Sequence, residues 1–231
     1  LSLSGNNSFS GGATLNTGVV QVGHNNALGS GTLTLAGATL RPDATARSLS
    51  QAVSINADTT LGRSGSPALT LSGDVTFSSG SVTVSSASNT IMSGAIDLGT
   101  GTKTFSVSSG KVQTASGVIS NGSLTKSGAG RMNLTGDSTY TGTTLVSAGE
   151  LRLQSGSSID STIVNVTGSG KLYLESTNAL VSSANITLTG ASAKLYVAEN
   201  NTVNTVSGGG GIHIQSDNTL TVNDISNHTG K

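Results

Sequence analysis

The residues with the chemistry to form a site are eleven carboxylates, three histidines and one run of four glycines. Polysaccharide cleavage would need acidic side chains paired on one strand face, with Lys or Arg nearby to stabilise developing charge. The carboxylates are Asp43, Asp58, Asp74, Asp97, Asp137, Asp160, Asp217, Asp224, Glu150, Glu175 and Glu199, and no two are spaced i, i+2. Several sit in turn contexts such as Ser72-Gly73-Asp74, where a short carboxylate bonds to backbone, so they read as solvated turn residues. His24, His213 and His228 are far apart. His213 lies in Gly211-Ile212-His213-Ile214, where alternation turns it outward as a surface residue. Gly208 to Gly211 is followed by no Lys-Ser/Thr and no helical pattern, which excludes a phosphate loop and leaves a tight corner. With no Cys there are no thiolate ligands or disulfides. No residue is therefore assigned to catalysis, to a cofactor or to a metal.

What must position these residues is a set of short strands. Period-2 alternation comes in bursts closed by Gly, Asn, Asp or Ser: Thr32-Leu33-Thr34-Leu35, Ala68-Leu69-Thr70-Leu71, Ser81-Val82-Thr83-Val84, Thr104-Phe105-Ser106-Val107, Lys171-Leu172-Tyr173-Leu174, Asn185-Ile186-Thr187-Leu188 and Thr219-Leu220-Thr221-Val222. Apolar residues face one way and Thr, Ser or Lys the other. No segment has a 3.6-residue period. Charged residues make up 10% and aromatics 3%, with no Trp, so a thin core of Leu and β-branched residues must replace large anchors. The class is all-β. Formal net charge is zero and the basic residues are scattered singly along the chain, which disfavours nucleic acid as a partner.

Internal repetition chooses among the all-β architectures. LSGNNSFSGGATLNTGVVQV, from Leu3 to Val22, aligns without a gap on LTGDSTYTGTTLVSAGELRL, from Leu134 to Leu153. Gly5, Phe9, Gly11 and Gly18 match Gly136, Tyr140, Gly142 and Gly149, while Leu15, Val20 and Val22 match Val146, Leu151 and Leu153. A second pair runs from Asn26-Ala27-Leu28 and from Asn178-Ala179-Leu180. A recurring strand-turn unit is the mark of a solenoid, in which each coil buries its apolar face against its neighbours. The expectation is a single parallel β-helix over residues 1–231, of about ten coils and about 50 Å in length. Repeat-like copies fall at 3–40 and 123–191, and degenerate coils at 41–122 and 192–231. The aromatic-Thr/Ser-Gly unit predicts one ring stacked at the same corner of each coil, with Gly supplying a positive φ and the preceding Asn or Asp bonding its own turn.

Ser123-Leu124-Thr125-Lys126-Ser127-Gly128-Ala129-Gly130, Leu134-Thr135-Gly136, Tyr140-Thr141-Gly142 and Ala148-Gly149-Glu150-Leu151-Arg152-Leu153 resemble the autotransporter-associated β-strand repeat. That repeat reads LTKxGxGxLxLxG and then NxYTGGTxVxAGxLxL. Met132 and Asn133 replace its Leu-Thr, Thr143 its second Gly, and Phe9 the Tyr of the first copy. The resemblance implies a secreted right-handed β-helix, part of a passenger or filament on a Gram-negative cell surface. It also implies adhesion or aggregation as the role, and an outer-membrane β-barrel translocator outside this chain. The first copy opens within the motif, so the chain is expected to be a segment of a longer protein or a unit that stacks end to end.

Partners on this reading are like chains, glycans or a host surface, and not nucleic acid. A Ser, Thr and Asn surface with few charges suits side-by-side hydrogen-bonded contacts. The alternative is a polysaccharide-active β-helix enzyme, which mapping of the eleven carboxylates would reveal as two or three in one groove. A third reading, ice binding, would need a flat hydroxyl ladder. The pairs Thr32/Thr34, Thr102/Thr104, Thr187/Thr189 and Thr219/Thr221 are irregularly spaced for that.

Overall fold

Leu33 and Leu35 become fully buried residues of strand Leu33–Ala36, with Thr34 between them half-exposed. The same in-out pattern organises Leu172 and Leu174, Ile186 and Leu188, and Leu195 and Val197. A computed structural model describes residues 1–78, 80–224 and 228–230, and none of the described residues is helical.

Among the described residues all strand pairs are parallel, and they assemble into sheets of twelve, nine and six strands. Each coil contributes a strand to the twelve-stranded sheet, which records about eleven turns of a parallel β-helix. At the ordinary strand spacing the stack is about 50 Å long. Hydrogen bonds between coils join residues such as Asn7 and Ala27, 20 positions apart, and Asn201 and Ser176, 25 apart. Coil length therefore varies, and most of the variation is taken up in the turns.

The core is a column of aliphatic side chains inside the three sheets, as the scarcity of aromatics requires. Phe77 and Phe105 add one edge-on ring pair, with centroids 5.9 Å apart. Lys103 and Lys126, in strands Thr102–Val107 and Ser123–Ser127, also point inward and are fully buried.

That inward turn of both lysines leaves the outer face of the twelve-stranded sheet without charge over most of its length. One outward row runs Thr83, Thr104, Thr125, Leu145, Asn165, Thr187, Ser207. A second runs Thr60, Ser85, Ser106, Ser127. Leu145 and Asn165 interrupt the threonines, so the row is not the unbroken ladder that ice binding would need.

Candidate functional site

Charge is concentrated on the nine-stranded sheet. Strands Arg131–Leu134, Glu150–Leu153, Lys171–Leu174, Lys194–Val197 and Gly211–Ile214 lie side by side there. Their alternation sends Met132, Leu151, Leu172 and Leu195 inward and places two outward rows in register. The first is Arg131, Glu150, Lys171, Lys194; the second is Asn133, Arg152, Tyr173, Tyr196, His213. Residues that are remote in sequence become neighbours because each coil adds one strand.

Ion pairs and rings tie this face together. Arg152 binds Glu150 at 3.0 Å and Glu175 at 2.5 Å, and Arg131 binds Glu150 at 2.9 Å. The Arg152 guanidinium also lies over the Tyr173 ring, 4.0 Å from its centroid. Tyr173 stacks on Tyr196 at 4.4 Å with the planes 6° apart, and Tyr196 meets the His213 ring at 5.6 Å. Burial acts to raise the Glu150 pKa, but hydrogen bonds from Arg131 and Arg152 outweigh it and hold the carboxyl below its usual range. Burial also raises the Tyr173 phenol, helped by the negative charge of Glu150.

Mapping the carboxylates brings Glu150 and Glu175 together on Arg152. A general acid needs a raised pKa, whereas Glu150 is held below its usual range, and both carboxylates are bound by Arg152, which braces the pair. The turn carboxylates bridge coils: Asp58 accepts from the Thr83 amide and Asp74 from the Ala95 amide. Asp43 pairs with Arg47 at 2.7 Å. Asp97 accepts from the Gly99 amide and the Asn121 amide group. His213 is exposed, as alternation predicts, and His24 accepts the Asn26 amide through Nδ1.

The repeat motif acquires a different physical basis from the one expected. Tyr140 is fully buried and its hydroxyl meets the Thr144 hydroxyl at 2.9 Å, whereas Phe9 is 44% exposed, so no shared ring column forms at this corner. Gly142 does not adopt positive φ. It is glycine because a Cβ there would strike the Gly122 carbonyl of the preceding coil. Asn7 and Asp137 bond across coils, to Ala27 and Ser158, rather than within their own turn. Tyr140→Phe should leave the buried Thr144 hydroxyl unpaired and cost about 1–2 kcal/mol in a denaturant melt. An unchanged midpoint would show that the bond contributes nothing.

Lys126 was legible in sequence only as a motif letter, and the structure gives it a role. Its ammonium donates to the carbonyls of Ser127 at 2.6 Å, Gly128 at 2.8 Å and Ala148 at 3.2 Å, tying one turn to the next. Gly149, at φ 65°, closes over it, and a Cβ there would crowd Nζ. Lys103 does the same at another corner, donating to Gly80 at 2.6 Å and Thr100 at 2.7 Å. The signal was parity: Lys126 is two residues from inward Leu124 and so points inward too.

No curated protein and no solved structure matches the chain at a significant level. Residues 1–22 and 124–153 match the family model of the passenger-associated-transport-repeat. The chain thus carries two copies of that repeat on a parallel β-helix, and repeat and fold together fit an autotransporter passenger-like rod.

Proposed function

We propose that this chain is a structural and adhesive rod of an autotransporter passenger, displayed on a Gram-negative cell surface and associating side by side with copies of itself. Export would use an outer-membrane β-barrel translocator outside this chain. The observation that supports self-association is the uncharged central stretch of the outer face of the twelve-stranded sheet, with its rows from Thr83 to Ser207 and from Thr60 to Ser127, between Arg41 near one end and Asp224 at the other. Two such faces can meet without like-charge repulsion and exchange hydroxyl hydrogen bonds. About 38 Å of uncharged rod by about 16 Å of strand offers about 600 Å² per copy, at the lower end of the size of a specific interface.

Sedimentation velocity over a concentration series tests this. The wild type should shift to dimers and larger species as concentration rises. Thr104→Glu with Asn165→Glu, which puts two carboxylates on the face, should hold the chain monomeric with an unchanged circular dichroism spectrum. A wild type that stays monomeric throughout, or a double variant that associates equally well, would overturn the reading.

A further inference from the structure

The opposite chemistry of the nine-stranded sheet gives this rod a second face. The chain as a whole is neutral, yet this face sets Arg131, Arg152, Lys171 and Lys194 against Glu150 and Glu175. The two arginines use up both carboxylates. Lys171 and Lys194 remain: they are direct register partners, adjacent on neighbouring strands, and neither forms an ion pair among the described residues. Like charges opposite one another destabilise a sheet. An anion laid across them would remove that repulsion.

The neighbouring row narrows the kind of anion. Tyr173 has Arg152 on one ring face and Tyr196 on the other, while His213 lies against Tyr196. The two tyrosine rings stack along the rod and are covered by Arg152, by each other and by His213. A nucleic-acid base, which binds by stacking on an open aromatic face, finds neither tyrosine free and only the exposed His213 imidazole at the end of the row. Two phenols, Tyr173 and Tyr196, lie in register beside two ammonium groups, Lys171 and Lys194, with Glu150 next along the row from Lys171. Two hydroxyl donors next to two cations, each pair one strand spacing of about 4.8 Å apart, suit adjacent sugars carrying acidic groups.

We propose that this face binds an acidic polysaccharide lying along the rod axis, its acidic groups on Lys171 and Lys194 and its hydroxyls on Tyr173 and Tyr196. The site lies on a different sheet from the lateral contact and does not rest on it. The test is calorimetric titration of the full chain with alginate, heparin, dextran and a single-stranded DNA oligonucleotide. Binding to alginate or heparin but not to dextran is expected, weakening as salt rises; binding to alginate would show that carboxylate suffices, and binding to heparin without alginate that sulfate is required. Lys171→Gln with Lys194→Gln should weaken that binding at least tenfold, about 1.4 kcal/mol. Tyr173→Phe with Tyr196→Phe should weaken it about threefold. Binding to neither anionic glycan, equal binding to dextran, tighter binding to DNA, or a folded lysine variant with unchanged affinity would each overturn the proposal. The lysine variant should sediment like the wild type, which separates failure here from failure of the lateral contact.

Discussion

Lys126→Met should lower the melting temperature by roughly 10 °C. Methionine fills similar space but donates nothing, so three turn carbonyls lose a charged donor. Each loss costs about 1–3 kcal/mol, and removing a buried charge returns about half of the total. The net is about 3 kcal/mol, and a chain of this size loses about 2–4 °C per kcal/mol. The variant also carries a pH signature. Burial holds the Lys126 ammonium down to about 8, against the partial support of Glu150, compared with 10.5 when unfolded. Between those values the unfolded chain binds a proton that the native chain has released, so native stability rises with pH. The stability gap between wild type and Lys126→Met should therefore widen from pH 8 to pH 10.5. Titrations common to both proteins, such as the buried Tyr140, cancel in the difference. A gap that stays flat, or a melting point within 1 °C of wild type, would remove the lysine from the stability argument.

Gly142→Ala should cost at least as much, for a steric reason. A methyl at this position meets the Gly122 carbonyl and the Ser123 hydroxyl of the preceding coil, and backbone cannot rotate away. Opening the coils there strains the bond from the Thr143 amide to Ser123 and from the Ser161 hydroxyl to the Gly142 carbonyl. Overpacking against backbone costs about 3 kcal/mol, the upper end of what crowded cores show. Because a solenoid is held by nearest-neighbour interfaces, one weakened interface also uncouples the coils on either side. Calorimetry should show a broadened or split transition in place of a single one. Gly11 holds the same motif position in the first copy, but a methyl added there would meet nothing within 4 Å, so Gly11→Ala should be nearly neutral. Equal melting of the two variants would show that the motif glycine is retained for another reason.

The strands and their inward faces were legible because alternation reports parity directly: Leu33 and Leu35, or Leu172 and Leu174, admit one burial pattern. The number of sheets was not, since parity says in or out and nothing about how many corners a coil turns. Lys103 and Lys126 were missed because a lysine beside threonines reads as solvent-facing, although parity from Leu124 places Lys126 inside. The basic face was hidden for a different reason. Lys171 and Lys194 look isolated until register pairs them, and register depends on coil lengths that vary from turn to turn. The role of Gly142 depends on the preceding coil in the same way, so its local motif suggested a turn conformation where a close approach was the cause.

The parallel stacking has a mechanical consequence. Its inter-coil hydrogen bonds run along the length of the rod, so a pull on the two ends loads them in tension, one coil at a time. Such a filament resists bending and compression but lengthens under tension by successive peeling of its end coil. The Lys126 ammonium, which spans two turns through three carbonyls, is a cross-tie at which that peeling should pause.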